Sequence, residues 1–319
     1  MLLFLVPSAT LRPTTPSWAA IRSAMPPQMS AVQDLTLDVA EVASLPAVAS
    51  FFVDAFWLAS TTFDGSSIEL SASDRRQLTQ KVAGDLGPRY GLSNDKRPTM
   101  MGGRRGFPSK SLFETRLIVA REPGGSIVGC AGIEAAFYDP SQGQLLRSDQ
   151  ADRYMRAELD VMTDDEAEEA SRMYVEGGIG GFAKGIIQER FASGLVNKYM
   201  KAYTPCSILA NLAVAPSYRR TGLGRALCDK CVECTTEEWK MDEIALQVEK
   251  ANQAAVTLYE RDGYRQVFST DSATALRLQA SEPTLFGGLP GPLSALAPEN
   301  KGLLKEVSSP TLTLAKRLT

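Results

Sequence analysis

Seven residues from Arg219 to Arg225 combine residue types that bind phosphate groups. They read Arg-Arg-Thr-Gly-Leu-Gly-Arg and stand between an apolar run and the start of a predicted helix. Gly222 and Gly224 let the backbone approach an anion closely, and the N–H groups and dipole of a helix N-terminus attract negative charge. Arg219, Arg220 and Arg225 add full positive charges. The pattern predicts an anion site, with an ordinary helix start bearing surface arginines as the alternative.

Two other phosphate-binding motifs do not fit this turn. The dinucleotide-binding fingerprint needs a third glycine and an acidic residue at the end of a second strand, and both are missing. A P-loop needs Gly-Lys followed by Ser or Thr, which this segment lacks. An anion bound here therefore belongs to another class of ligand site.

The strands and helices predicted on either side of the turn would position it. Residues 208–214 are almost continuously apolar and predict a buried strand, which Pro216 ends. The periodicity downstream predicts a helix over 223–240, a strand over 244–248, a helix over 252–261 and a strand over 264–268. Upstream it predicts a strand over 35–39, a helix starting near Ser44 and Pro46, a helix over 74–85, a loop over 86–111, and strands over 112–120 and 127–137.

The segment from Asn252 to Tyr264 resembles a known family. Its pattern Asn252-x-x-Ala255-x-x-Leu258-Tyr259-x-x-x-Gly263-Tyr264 is similar to the second motif of the GNAT acetyltransferase superfamily, at the usual spacing from Arg219-x-x-Gly222-x-Gly224, which resembles its pyrophosphate motif. The resemblance is strong over 206–268 and follows the order of strands and helices over 34–137. It is absent from 138–205 and 280–308.

This resemblance implies a fold, a donor and a set of roles. The fold is α/β (α+β), with a mixed, mostly antiparallel sheet flanked by helices, and the donor is acetyl-CoA without a metal. The backbone of Leu212, Ala213 and Val214 would pair with the pantetheine amides, and Asn252 would hydrogen-bond the same arm. The residues that would hold the pyrophosphate are Arg219, Arg220, Thr221, Gly222, Leu223, Gly224 and Arg225. Tyr259 would be the general acid in direct acetyl transfer to a protein or peptide amine.

Helix geometry supports the pairing of Asn252 with Tyr259. The two residues are seven positions apart, so they share a face of the predicted helix and lie about 10 Å apart along its axis. Tyrosine has an ordinary pKa of about 10, so it stays protonated at neutral pH and can protonate a departing thiolate. A core aromatic residue is the alternative for Tyr259.

The predicted site lacks a carboxylate base. Many members of the superfamily carry Glu where this chain has Gln247, and others carry Glu where it has Ile208. The general base is then a chain of water molecules, or no base is needed. Glu249 is nearby, but the sequence leaves the direction of its side chain undetermined. A protein α-amine is about one-third neutral at pH ~7.5 and a lysine amine only about 0.1% neutral, which favours N-terminal amines. Both kinds of amine remain predicted substrates.

Composition excludes several other functions. The chain contains no histidine, which rules out Ser-His-Asp and Cys-His catalysis and histidine-ligated metals. Cys228, Cys231 and Cys234 have helical spacing and predict small core residues rather than a metal site or a disulfide. A net charge of -3 gives no reason to expect nucleic-acid binding, and no apolar run is long enough for a membrane span.

Residues 1–33 have the composition of a targeting leader. They contain Arg12 and Arg22 but no Asp, Glu or Lys, and they are rich in Ser, Thr, Pro and Ala. This composition is typical of an organelle transit peptide. The segments Val53–Trp57 and Lys316–Leu318 resemble plastid members of the superfamily. We therefore expect a plastid location, with the mitochondrion as the alternative.

The remaining chain is predicted to form one catalytic domain over 34–319. It carries a helical insertion over 138–205 and a Pro/Gly-rich excursion over 280–308. The glycines of 177–181 are a weak phosphate-loop candidate, because no strand precedes them. Two other functions stay open: acetylation of a small-molecule amine under the insertion as a lid, and CoA binding by a catalytically silent regulatory protein.

Overall fold

The computed structural model describes residues 34–58, 70–92, 112–188, 202–278 and 304–318. Within these ranges the strands are β1 (Thr36–Val39), β2 (Thr115–Arg121), β3 (Ile127–Asp139), β4 (Gln144–Leu146), β5 (Thr204–Val214), β6 (Glu243–Glu249), β7 (Arg265–Leu278) and β8 (Leu304–Arg317). The α-helices are α1 (Leu45–Phe52), α2 (Ala72–Arg89), α3 (Ser148–Val161), α4 (Asp164–Gln188), α5 (Leu223–Glu233) and α6 (Gln253–Arg261). π-helical turns follow α1 over Val53–Leu58 and α5 over Cys234–Glu238.

All the described strands belong to one mixed sheet. Its order is β1-β2-β3-β5-β6-β8-β7, with β4 paired to β3. The pair β5 and β6 is parallel, and the other pairs are antiparallel. The predicted mixed, mostly antiparallel sheet flanked by helices is therefore confirmed.

Helices cover both faces of this sheet. On one face α1 and α2 contribute Phe52 and Leu78 to a core that includes Leu117 of β2. On the other face α3, α4, α5 and α6 share a larger core, to which Leu227 and Tyr259 belong. Alternation along the central strands β2, β3, β5 and β6 supplies apolar side chains to both faces, as expected for strands buried on two sides.

Helix α2 is longer than its sequence pattern predicts. It begins where the hydroxyl of Ser71 accepts a hydrogen bond from the backbone N–H of Asp74 at 3.1 Å, a standard N-cap. It then continues to Arg89, so the loop predicted for 86–111 is wrong over 86–89. Leu86 is buried on the sheet, and this packing holds the last turn helical despite Pro88. Residues 93–111 of that loop lie outside the described residues.

The chain after Tyr264 also differs from the prediction. Strand β7 continues to Leu278, ten residues beyond the predicted end, and pairs along its length with β8. Because β8 begins at Leu304, the predicted Pro/Gly-rich excursion is strand over 304–308. The rest of that excursion, from 280 to 303, lies outside the described residues. The length over which β7 pairs with β8 could not be inferred from local periodicity.

The predicted helical insertion belongs largely to the core. Met155 and Leu159 of α3 and Phe182 of α4 are buried in the larger core cluster. Gly178 breaks α4 with a φ of 59°, and a Cβ on Gly180 would come within 2.2 Å of the Lys240 carbonyl oxygen. Gly178 and Gly180 thus allow α4 to pack closely on the backbone of 239–240. Residues 189–201 of the predicted insertion lie outside the described residues.

None of the described helices is both long enough and apolar enough to cross a membrane.

Candidate active site

The parallel strands β5 and β6 separate within the sheet. Ser207, Ile208 and Leu209 pair with 244–246, after which the described residues show no further pairing between these two strands. Strand β5 nevertheless continues to Val214 and β6 to Glu249. The backbone of 210–214 therefore presents its β6-facing edge to a gap, and such an edge can pair with an extended ligand. The predicted donor-binding residues Leu212, Ala213 and Val214 lie on this edge.

A bulge in β5 lies beside the gap. The pairing of β5 with β3 shifts between Cys130 and Gly132, and Asn211 of the bulge has a φ of 55°. The Nδ2 group of Asn211 donates a hydrogen bond to the Tyr90 hydroxyl at 2.7 Å. That hydroxyl occupies the space of a side chain at Gly132, because a Cβ there would lie 1.9 Å from it. Tyr90, at the end of α2, thus packs against Gly132 and forms a hydrogen bond with the bulge at Asn211.

The turn after β5 presents a helix N-terminus to the same end of the gap. Gly222 has a φ of 100° and stands directly before α5, a backbone conformation that favours glycine. The first N–H groups of a helix have no partners within it, so those of 223–225 are available to an anion. The side chain of Leu223 is buried in the core, so only its backbone can contribute. The Thr221 hydroxyl donates to the Tyr218 carbonyl and stabilises the turn.

The three arginines of the turn have different surroundings. The guanidinium of Arg219 donates to the Ala55 carbonyl at 3.0 Å and the Val214 carbonyl at 3.3 Å, and burial lowers its pKa. Arg225 lies 3.6 Å from the Asp262 carboxylate. Arg220, with a φ of 68°, has no acidic partner among the described residues. Arg220 is therefore the arginine of this turn whose charge is open to a ligand.

Asn252 begins α6, and Tyr259 lies in its last turn. The Oδ1 atom of Asn252 accepts a hydrogen bond from the Ala255 backbone N–H at 3.2 Å, which caps the helix. This leaves the Nδ2 group without an acceptor among the described residues. The ring of Tyr259 is buried and meets the Tyr264 ring edge-on, with centroids 5.6 Å apart. Burial raises the pKa of Tyr259 well above its ordinary value, so its hydroxyl remains a proton donor.

A cavity of about 670 Å³ opens where β5 and β6 separate. Ile208 and Gln247, the two positions at which the superfamily carries Glu, both line it. Its walls come from the β3–β4 connection, the start of α3 and strand β7, and its carboxylate is that of Asp149. That carboxylate lies on an exposed side chain, 64% accessible. Neither predicted base position therefore places a carboxylate in the cavity.

The direction of Glu249, undetermined from sequence, is clear in the structure. Its side chain is 1% exposed, and both carboxylate oxygens accept from the Arg277 guanidinium at 2.5 and 2.6 Å. Arg277 lies near the C-terminal end of β7, so this ion pair links the β7–β8 strand pair to the end of β6. Glu249 is thus engaged in the fold, and its lone pairs are not open to an amine.

The three spaced cysteines face the core. Cys228, Cys231 and Cys234 are buried with free thiols, and burial raises the pKa of Cys228 to about 12. Their position agrees with the predicted role as small core residues. The described residues hold no cluster of Cys, Asp and Glu suited to a metal ion.

Several residues of the site were not anticipated from the sequence. Tyr90 and Asn211 meet across 121 residues, and Glu134 accepts hydrogen bonds from Arg89 and Arg147 beside the cavity. No local pattern signals such contacts. A polar residue inside an apolar strand, as Asn211 is within 208–214, is the one signal that could have identified a member of this group.

Residues 104–264 match the sequence profile of the family described as Acetyltransferase (GNAT) family. An N-alpha-acetyltransferase of Sulfurisphaera tokodaii is 29% identical over 90 residues, which are 28% of this chain and 54% of that protein. The [Ribosomal protein bS18]-alanine N-acetyltransferase of Escherichia coli K12 is 40% identical over 58 residues, 18% of this chain and 38% of that protein. The chain thus spans about half or less of the curated relatives that it matches.

Solved structures resemble the chain more loosely. An acetyltransferase of the GNAT family from Streptococcus pneumoniae is 12% identical, with 89% of this chain and 99% of that chain covered and a TM-score of 0.38.

The family match spans half of the chain and includes both the arginine–glycine turn and the segment from Asn252 to Tyr264. The chain therefore belongs to the acetyltransferase (GNAT) family.

Proposed function

We propose that this protein is an N-acetyltransferase that moves an acetyl group from acetyl-CoA directly to a protein amine. The observation that carries the proposal is the separated strand pair β5 and β6. The start of α5 lies at the open end of β5, and the cavity opens where the two strands part. One side of this gap can hold an extended, anionic donor, and the other side can admit an acceptor.

The residues around the gap fit acetyl-CoA. An extended arm with amide groups matches the free edge of Leu212, Ala213 and Val214. A diphosphate matches the N–H groups of 223–225 and the charge of Arg220. When bound, acetyl-CoA supplies a thioester, whose acyl carbon is activated toward attack by an amine.

Tyr259 is the proposed proton donor of the reaction. Acyl transfer to nitrogen breaks a carbon–sulfur bond, so the departing sulfur gains a proton while the amine loses one. The Tyr259 hydroxyl stays protonated across the neutral range and can supply the first proton. Gln247 and Ile208 cannot accept the proton that the amine loses, so that proton passes to water. An α-amine, about one-third neutral at pH ~7.5, needs the least help from a base.

Protein amines are the proposed acceptors. A cavity of about 670 Å³ is large enough for the first residues of a peptide. Two curated relatives whose names state a substrate or amine are an N-alpha-acetyltransferase and an acetyltransferase for an alanine of a ribosomal protein. Residues 142–147 and 149–150 of the insertion line the cavity, whereas α3 and α4 bury Met155 and Phe182 in the core. The names of these two relatives favour a peptide as the acceptor.

Mass spectrometry can test this proposal. We expect the full chain, incubated with acetyl-CoA and a peptide library, to acetylate α-amines faster than lysine ε-amines at pH ~7.5. Spermidine in a parallel reaction tests a small polyamine as acceptor. Exclusive acetylation of spermidine would contradict a protein acceptor, and no product from any amine would contradict the enzyme itself.

Replacing Arg220 with Asn should weaken donor binding. Asn tolerates the left-handed backbone at this position, so the turn is kept while a charge-assisted contact is lost. We expect the KM for acetyl-CoA to rise about ten- to a hundredfold with kcat nearly unchanged. Acetyl-pantetheine, which lacks the diphosphate, is the control donor. Its KM should be the same for both proteins, and an equal rise would contradict a phosphate contact.

Two substitutions separate the roles of Asn252. Asn252→Ala removes the helix cap and the Nδ2 donor, and Asn252→Ser keeps a cap. We expect only Asn252→Ala to lower the free energy of unfolding, by about 1 kcal/mol. Both should raise the KM for acetyl-CoA, by about two- to tenfold. An unchanged KM in Asn252→Ser would mean that Asn252 serves the helix alone.

We further propose that residues 1–33 direct the chain to a plastid, on their acid-free, hydroxyl-rich composition. These residues lie outside the described ranges. A fluorescent protein fused behind residues 1–33 should enter plastids in plant cells, and replacing Arg12 and Arg22 with Glu should abolish entry. Entry into mitochondria would support the alternative location, and a cytosolic signal would contradict a leader.

A further inference from the structure

Asn211 leaves a polar atom of the bulge without a partner. Asn211 is 5% exposed, and its Nδ2 group donates a hydrogen bond to the Tyr90 hydroxyl. Its Oδ1 atom is buried and accepts no hydrogen bond within the described residues. A buried acceptor left unsatisfied loses the hydrogen bonds that it would make to water, so such an atom in a folded protein calls for an explanation.

Neither the backbone conformation at residue 211 nor the contact with Tyr90 requires the Oδ1 atom. The backbone conformation at 211, with a φ of 55°, would be met by glycine at no steric cost. The Nδ2 group accounts for the contact with Tyr90. Asn211 also lines the cavity at the point where β5 leaves β6. Asn211, whose Oδ1 atom has no hydrogen bond, therefore lies on the side of the gap where the amine substrate would bind.

We infer that the Oδ1 atom of Asn211 accepts a hydrogen bond from the amine that is to be acetylated. This inference rests on the proposed function. An amide oxygen can hold an N–H of a neutral amine and leave the nitrogen lone pair free to attack. Unlike a carboxylate, it does not stabilise the ammonium form, so it does not raise the pKa of the amine. Asn211 takes up no proton and serves as a substrate-positioning residue in a site without carboxylates at 208 and 247.

The two groups that hydrogen-bond Asn211, the Tyr90 hydroxyl and the Cys130 thiol, both have raised pKa values. Burial raises the pKa of Tyr90 far above its ordinary value and that of Cys130, whose thiol donates to the Asn211 carbonyl at 3.5 Å, to about 12. The charged groups nearby are Arg147 and Asp149 of the cavity wall and, beside Tyr90, Arg89 and Glu134. Burial also raises the pKa of Glu134, which Arg89 opposes. Because the proposed mechanism has a neutral amine attack, we expect the acetylation rate to rise with pH as the acceptor amine loses its proton.

Three variants of the full chain test this inference. Asn211→Gly suits the backbone and removes Oδ1, Asn211→Asp keeps an acceptor oxygen and adds a charge, and Tyr90→Phe removes only the partner of Nδ2. The probe is a lysine-free hexapeptide beginning with alanine, compared with its N-formylated form. Binding is measured by calorimetry in the presence of CoA, so that no turnover occurs. The pH dependence of acetylation is measured with the same free-amine peptide.

We expect the wild type and Tyr90→Phe to bind the free-amine peptide about two- to tenfold more tightly than the formylated one. Asn211→Gly should lose this preference. Asn211→Asp should keep it and shift the rise in rate to higher pH, because its charge favours the ammonium form. A preference retained in Asn211→Gly, one lost equally in Tyr90→Phe, or an unshifted pH profile in Asn211→Asp would overturn the inference.

The two proposals fail in different ways. A wild type that prefers the free amine but transfers no acetyl group would contradict the proposed function and leave Asn211 as an amine-binding residue. A wild type that acetylates the peptide but binds both forms equally would contradict the role of Asn211 alone. If Asn211→Gly does not fold, Asn211→Asp and Tyr90→Phe still decide between the outcomes.

Discussion

Replacing Tyr259 with Phe should lower kcat by about 10²- to 10⁴-fold, the range found when a general acid is removed. The hydroxyl is the only group lost, and the ring keeps its edge-on contact with Tyr264. The KM for acetyl-CoA and the thermal midpoint should therefore change little. Steady-state kinetics with an acceptor peptide, at several pH values, measure the effect.

The neighbouring tyrosine provides a matched control. The Tyr264 side chain is fully buried, and its hydroxyl has no hydrogen-bond partner in the described part of the chain. Tyr264→Phe removes the same atom from the same cluster, so it should leave kcat within about twofold if only the Tyr259 hydroxyl donates a proton. Equal losses in the two variants would mean that the aromatic cluster, rather than a proton donor, had been disturbed.

The pH profile provides a second check on Tyr259. Burial raises its pKa well above the ordinary value, so the acid form persists at pH values where an exposed tyrosine would begin to ionise. In the wild type kcat should therefore not fall between pH 8 and about 10. A fall in that range that disappears in Tyr259→Phe would contradict the raised pKa.

Replacing Arg277 with Ala should produce the largest loss of stability. The variant leaves the carboxylate of Glu249, which is 1% exposed, buried without its counter-charge. Breaking such a pair from one side costs about 3–5 kcal/mol, which in a domain of this size lowers the thermal midpoint by on the order of 10 °C. Calorimetry or chemical denaturation measures the loss. Activity should also fall, because the pair fastens the β7–β8 hairpin beside the cavity.

Two further variants give this prediction its controls. Arg75 pairs with Asp54, but both side chains are nearly half exposed, so Arg75→Ala should cost less than about 1 kcal/mol. The double variant Glu249→Gln with Arg277→Met removes both charges and should recover most of the stability. If the double variant is as unstable as Arg277→Ala, the loss comes from packing and not from an uncompensated charge.

The part of the site built from neighbouring residues was predictable from the sequence. The turn at Gly222, the short helix that follows Asn252 and the position of Tyr259 depend on contacts within a few residues, and local patterns report such contacts. The succession of β5, α5, β6 and α6 along the chain was also predicted correctly. The assignment of ligand roles to these residues remains a prediction.

Contacts between distant segments were not predictable. Arg219 reaches the carbonyl of Ala55, 164 residues away, and Glu249 is paired by an arginine in a strand whose length was underestimated. Whether an arginine of the turn is free for a phosphate or occupied by the fold depends on such partners. A single sequence records hydrophobic periodicity, but it does not record which side chains meet across a sheet.

The central claim, direct acetyl transfer from acetyl-CoA to a protein amine, is tested by counting thiols and acetylated peptides in one reaction. The full chain is given acetyl-CoA with an alanine-led, lysine-free peptide or with its N-formylated form. We predict one free thiol for each acetylated peptide with the free amine, and no release above background with the blocked one. Tight binding of acetyl-CoA without amine-dependent thiol release would contradict the claim and indicate a catalytically silent CoA-binding protein.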